Sequence, residues 1–201
     1  MGGRKTSGFT ILELMMTLTV ASVIMALAVP SFRDFIKNSR MSGASNDLLA
    51  SLQLARTEAI KRRHSVGLCA SANPNAAVPG CTGSFNGAGW VVWDDVDNDS
   101  AIDGGEAVLA RHTALDPALT LSESANVVAY QPSGFLGVNQ TNFILICDDR
   151  SNAQLGNSYF KRAVSISKTG RGAVRRTSDE FVGLSNELAS QGTDPGELNC
   201  P

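Results

Sequence analysis

Residues 1–30, MGGRKTSGFTILELMMTLTVASVIMALAVP, decide the fold. A short basic leader carrying Arg4 and Lys5 meets an apolar run from Phe9 to Val29, and those 21 residues hold a single charge, Glu13. At about 1.5 Å per residue such a helix is roughly 30 Å long, the thickness of a bilayer's hydrocarbon core, so it can span a membrane. By the positive-inside bias the basic end stays in the cytoplasm and everything after Pro30 is delivered to the far side. A carboxylate near the bilayer centre costs about 2.5–3.5 kcal/mol. A disposable secretory signal, for which Ala26-Leu27-Ala28 offers an A-x-A cleavage site, gains nothing by carrying it, and neither does a plain anchor. A charge kept in such a place points to a partner.

Outward from this segment the hydrophobic period changes. Met41, Leu48 and Ala55 recur every seven residues, and Ala44, Leu52 and Ala59 fill the adjacent row of one helical face. Arg33, Lys37, Arg40, Arg56, Lys61, Arg62 and Arg63 flank that face, and the last three sit in a final turn where cations complement the helix dipole, which places the helix end near His64. Stem and amphipathic half together predict about 55 helical residues, roughly 80 Å if continuous, a length suited to a fibre subunit rather than a compact globule. Beyond His64 short strands are predicted over 65–69, 89–93, 107–111, 126–130, 141–147, 162–167 and 171–176, with no second long helix and a polar tail over 178–201. The expected class is α+β: a long N-terminal helix packed on an antiparallel head of about seven strands. The expected divisions are a leader over 1–8, a membrane and polymerisation helix over 9–29, an amphipathic half over 30–63 and a β-rich head over 64–201. Trp90 and Trp93, three apart on one strand, are expected to face core and solvent respectively, or the reverse.

Composition narrows the function classes. With 17 basic against 19 acidic residues the net charge is −2, so no general basic field marks the chain as a nucleic-acid binder. Removal of residues 1–8 leaves 15 basic and 19 acidic residues, a net of −4. The two histidines, His64 at a helix end and His112 in an expected surface loop, have no catalytic partner in sequence, and no phosphate, dinucleotide, zincin or nucleophile-elbow motif occurs. Nothing here reads as an enzyme or a resident cofactor site. Cys69, Cys81, Cys147 and Cys200 include no C-x-x-C pair, which suits two disulfides in an oxidising compartment better than a zinc site. Four cysteines allow three connectivities. Short separation favours Cys69 with Cys81, worth roughly 3 kcal/mol by loop closure, and would leave Cys147 with Cys200 to staple the tail.

The string Gly8-Phe9-Thr10-Ile11-Leu12-Glu13 resembles the processing motif of type IV prepilins and type II secretion pseudopilins. The resemblance implies that a membrane peptidase, the prepilin peptidase, cuts between Gly8 and Phe9 and methylates the new amine. It also implies that Glu13 of one subunit pairs with the Phe9 amine of a neighbour. An α-amine has an ordinary pKa of about 7.7–8.0 and is largely cationic near neutrality, so the pair would neutralise both charges in the fibre. Pro30 fits the same family, which tolerates a helix break at the base of the stem. In the head the resemblance narrows to the GspH/FimT family of minor pilins and pseudopilins. It is carried by Ser65-Val66-Gly67-Leu68-Cys69-Ala70-Ser71, Gly89-Trp90-Val91-Val92-Trp93-Asp94-Asp95, Phe143-Ile144-Leu145-Ile146-Cys147 and Ser167-Lys168-Thr169-Gly170-Arg171, in that order along the chain. The implied role is a minor pilin of a type IV pilus, with a pseudopilin of a type II secretion system as the alternative. The implied partners are other pilins or pseudopilins of the fibre, and inner-membrane lipid before assembly. The head would lie in the periplasm.

Two further constellations stand out. The stretch Asp95 to Glu106 places Asp95, Asp97, Asp99, Asp103 and Glu106 at positions one, three, five, nine and twelve of an EF-hand loop, with Ile102 at the apolar position eight. Ser100 stands where that loop has its glycine, and strands rather than helices flank it, so a polar hairpin loop competes with a calcium site. The other is basic: Lys161, Arg162, Lys168, Arg171, Arg175 and Arg176 fall within sixteen residues. Arg171, Ala173 and Arg175 share one face of an extended strand, from which the two arginines could approach successive phosphates about 7 Å apart. Some members of the resembling family take up DNA through a Gly-Arg-x-Arg element. Gly170 and Arg171 match it, and Ala173 stands in place of the second arginine. The competing reading of Lys168, Arg171, Arg175 and Arg176 is an edge strand protected by charge.

Overall fold

A computed structural model describes residues 8–81, 84–85, 87–137, 142–150, 154–155, 158–191, 198 and 200. The leader residues 1–7, with Arg4 and Lys5, lie outside them, as does the side chain of Pro30. One helix, α1 (Ile11–Arg62), runs through residue 30 without interruption, close to the roughly 55 helical residues expected, and the break that the family tolerates at Pro30 is not used. It stops two residues before His64, with Arg63 in the left-handed region at φ 63°. Over residues 9–29 every side chain is exposed. By length and composition this part of α1 is able to cross a membrane.

Residues 40–201 form one compact unit, which therefore takes in the second half of α1. In that half Met41, Ala44, Leu48, Leu52, Ala55 and Ala59 are all buried, the two rows expected from the heptad spacing. The stripe packs on two antiparallel sheets. The first contains β1 (Ser65–Ser71), β2 (Gly89–Asp95), β3 (Val108–His112) and β5 (Val127–Tyr130), in the order β3-β2-β1-β5. The second contains β4 (Thr120–Glu123), β6 (Asn142–Cys147), β7 (Gln154–Leu155), β8 (Ser158–Ile166) and β9 (Gly172–Thr177), in the order β4-β6-β8-β7 with β9 on β8. Val66, Leu68, Trp90, Val92 and Val128 from the first sheet join Ile144, Ile146, Val164 and Ile166 from the second in a single core around the stripe. The expected strands fall where the sequence put them to within about two residues at most ends, β8 beginning earlier, and Thr141 lies outside the described residues. Nine strands are described rather than seven, because the short β4 and β7 carry too few residues to show a period.

The polar tail is a correction. Ser178–Ser190 is a helix, α2, whose Thr177 cap accepts from the Glu180 N–H while the Glu180 carboxylate accepts from the Thr177 N–H. Phe181, Leu184 and Leu188 recur on one face and cover the outer side of the second sheet against Phe143, Leu145 and Ala163. The Lys161 ammonium, buried beside the rings of Tyr159 and Phe181, donates to the Leu198 carbonyl at 2.8 Å. Burial holds its pKa below the ordinary lysine value.

Trp90 and Trp93 do point to opposite faces of β2, yet both are buried. Trp90 lies in the core and donates its indole N–H to Ser51 of α1 at 2.9 Å. Trp93 lies on the outer face, which is roofed rather than wet: Cys69 and Val91 flank it, and Ile102, Val108 and Val127 pack over them. Gly67 on β1 makes room for that ring, since a Cβ there would stand 2.3 Å from it. His112 is also no loop residue. It ends β3, stacked on Trp90 with ring centroids 3.8 Å apart.

Truncating Leu52→Ala at the centre of the stripe should cost about 2–5 kcal/mol of unfolding free energy in urea titration. The hydrogen bonds that Glu180 accepts from Thr177 and Arg176 N–H groups hold its carboxyl below the ordinary value. A depressed folded pKa contributes stability above the unfolded value and loses it as pH falls through the folded one. Glu180→Ala should therefore lower the melting temperature at pH 7 and converge with the parent chain below the folded pKa.

Candidate functional site

At the front of α1, Thr10 precedes the first helical residue and its hydroxyl accepts from the Glu13 N–H at 3.2 Å. Glu13 thus stands in the first turn, where a carboxylate complements the positive end of the helix dipole. The Thr-x-x-Glu spacing is that of a capping box and was visible in the sequence. Gly8, Phe9 and Glu13 are all exposed, so the peptide bond expected to be cut and the charge expected to pair lie open to a partner.

The acidic stretch forms the loop between β2 and β3. Its first carboxylate, Asp95, is wholly buried; Asp97 and Asp99 are exposed. One oxygen from each of the three lies within 4.8 Å of the others. Asp103 and Glu106 do not join them. Glu106 straps the loop instead, accepting from the Val96 N–H at 2.8 Å and the Asp103 N–H at 3.2 Å. Ser100 adopts the left-handed conformation at φ 63° that the usual glycine would take, so the turn forms without it. The Asp99 N–H donates to Asp95 Oδ1 at 3.1 Å, while Asp95 Oδ2 has no partner among the described residues. Burial pushes the Asp95 carboxyl above its ordinary value, Asp99 and Asp97 add to the effect, and backbone hydrogen bonds from Ser100 and Asp99 oppose it. Ile102, at the apolar position, anchors the loop against the Trp93 cluster.

The basic residues divide. Lys161 and Arg162 are buried, so they belong to the head's interior. Lys168, Arg171 and Arg176 are exposed, and β9 pairs with β8 alone among the described strands. Arg171 sits in the turn before β9, and its four-residue separation from Arg175 amounts to roughly 13 Å of strand, about twice the spacing of successive phosphates expected above. Arg175 is half-buried and donates from Nε to Ser165 Oγ at 3.1 Å.

Sequence reading missed Arg56, whose guanidinium donates to the carbonyls of Gly134 at 3.1 Å and Thr169 at 3.2 Å. It joins α1 to two turns, one from each sheet. Gly170, at φ 76°, completes this corner, because a Cβ there would stand 2.0 Å from the Gly134 carbonyl oxygen. Half of the Gly-Arg element thus serves packing. The disulfides pair Cys69 with Cys81 and Cys147 with Cys200. The first closes the loop after β1, and the second pins residue 200 to β6.

Comparison with known proteins adds to this geometry. The model of a prokaryotic N-terminal methylation motif matches residues 3–29. Type IV minor pilin FimU of Pseudomonas aeruginosa is similar in structure, with a TM-score of 0.50 at 21% identity over 70% of this chain and 92% of that one. The minor pseudopilin EpsH from the type 2 secretion system of Vibrio cholerae aligns at a TM-score of 0.43 and 12% identity, covering 70% of this chain and 98% of that one. No curated protein sequence matches the chain. The model of type II transport protein GspH matches residues 44–170, well over half of the chain and nearly all of the two-sheet core, so this pilin-like protein with its methylation motif belongs to the GspH family.

Proposed function

We propose that the chain is a minor pilin, a structural subunit that takes part in assembling a type IV pilus after prepilin peptidase cuts between Gly8 and Phe9. The observation that carries this reading is the apolar helix over residues 9–29, which is exposed throughout and opens on Glu13. Such a surface is stable in lipid or against other helices, not in water. In this reading the helix resides in the inner membrane, the head and its two disulfides lie in the periplasm, and extraction into a fibre replaces lipid with the stems of other pilins. Glu13 then meets the methylated Phe9 amine of a neighbour, and neither charge stays unpaired.

A second reading, a minor pseudopilin of a type II secretion system, is favoured by the description of the family model itself. Both readings share processing, membrane residence and helix packing. A deletion strain separates them: a minor pilin's loss reduces fibres, and a pseudopilin's loss reduces secreted enzymes. DNA capture by Lys168, Arg171, Arg175 and Arg176 is the weaker role, because Arg175 is engaged with Ser165 and the spacing of the arginines is too wide for successive phosphates.

Mass spectrometry of the mature chain should find N-methylated Phe9 at its amino terminus; a chain beginning at Val29 would end this account. Glu13→Gln should still be cut and should lower incorporation into filaments about tenfold, equivalent to roughly 1.4 kcal/mol. On DNA, Arg171→Ala plus Arg175→Ala should leave affinity and its salt dependence unchanged; weaker binding with a shallower salt slope would reinstate β9 as a DNA contact.

A further inference from the structure

We propose that the loop between β2 and β3 is a calcium site, with the carboxylates of Asp95, Asp97 and Asp99 as its protein ligands. Three acidic oxygens inside a 4.8 Å envelope are the first half of the argument. That envelope is the diameter of a calcium ligand sphere, whose oxygens stand about 2.3–2.6 Å from the ion. Magnesium keeps several waters and is held by one or two carboxylates, so a set of three fits it less well.

The second half is Asp95. Its side chain is wholly buried at the end of β2, and Oδ2 has no hydrogen-bond partner among the described residues. A buried carboxylate oxygen left unmatched is expensive, and of the three such oxygens among the described residues, on Asp94, Asp95 and Glu123, that of Asp95 alone belongs to a residue of the three-carboxylate cluster. No lysine or arginine of the described residues makes an ion pair with Asp95, Asp97 or Asp99. A divalent cation coordinated by Oδ2 would satisfy it and offset the repulsion among three like charges.

The loop is also built to hold its shape without the ion. Glu106 ties its two ends through the Val96 and Asp103 N–H groups, and Ile102 roots it on the cluster that contains Trp93. Ordering is therefore largely complete before binding, which leaves more of the coordination energy as affinity. Water and main-chain carbonyls would complete the shell of six to eight oxygens. The site lies wholly in the head, so it stands or falls independently of how the stem is used.

The test is a thermal melt of the full processed chain in detergent, stripped with chelator and then given calcium chloride. With dissociation constants of about 0.1–1 mM, usual for extracellular calcium modules, 10 mM calcium should raise the melting temperature by roughly 3–10 °C. Asp97→Asn plus Asp99→Asn, both at exposed positions, should fold as the parent does and lose that rise, whereas Asp103→Asn should retain it. Titration calorimetry should give one calcium per chain. No rise in the parent chain overturns the site. An undiminished rise in the double variant overturns the ligand set, and an equal response to magnesium chloride overturns the assignment to calcium. Processing at Gly8 and filament incorporation, measured on the same variants, should be unaffected by any of these results.

Discussion

The apolar stripe from Met41 to Ala59 is the constraint on which the head depends. Both sheets present one face to it, and six residues of a single helix stand at the centre of a core to which six strands contribute buried side chains. The small residues Ala44, Ala55 and Ala59 let the sheets approach closely, while Met41, Leu48 and Leu52 fill the volume between them. The same helix carries a second apolar surface over residues 9–29 that is exposed along its whole length. One element thus supplies two hydrophobic demands, one met within the chain and one left for lipid or for neighbouring subunits.

Around this core the polar contacts act as locks. Arg56 holds α1 to the turns at Gly134 and Thr169, and Gly170 fits under the Gly134 carbonyl where no side chain could. The Arg171 turn is consequently held by packing, and β9 presents its exposed charge at a sheet edge, a common protection against pairing with other strands. At the other end of the second sheet the Cys147–Cys200 bond, the Lys161 contact with Leu198 and the α2 face close the outer side. On the first sheet, Cys69–Cys81 and the acidic loop do the same for Trp93.

The acidic loop separates residues that the sequence count grouped together: Asp95, Asp97 and Asp99 converge, and Asp103 and Glu106 do not join them. The carboxylates of Asp95, Asp97 and Asp99 come within 4.8 Å of one another, the first buried at the end of β2 and the other two exposed. Glu106 matched the twelfth position by count alone. In a loop between strands rather than helices, its carboxylate reaches backbone N–H groups instead.

Local periodicity and chemistry determined much of this protein before any tertiary structure was considered. The apolar stem, the buried rows of α1, most strand positions and the processing string were legible because each depends on residues close in sequence. The capping box of α2 was equally local, at Thr177 and Glu180 with Phe181, Leu184 and Leu188 behind it, and was obscured by the Ser, Asn and Gly around it. Only the tertiary structure decided which outer faces stay dry, which cysteines meet, that Arg56 bridges two turns and that Asp95 is buried with an oxygen to spare. These outcomes rest on contacts between residues far apart along the chain, and no local pattern encodes the surface that a distant loop will cover.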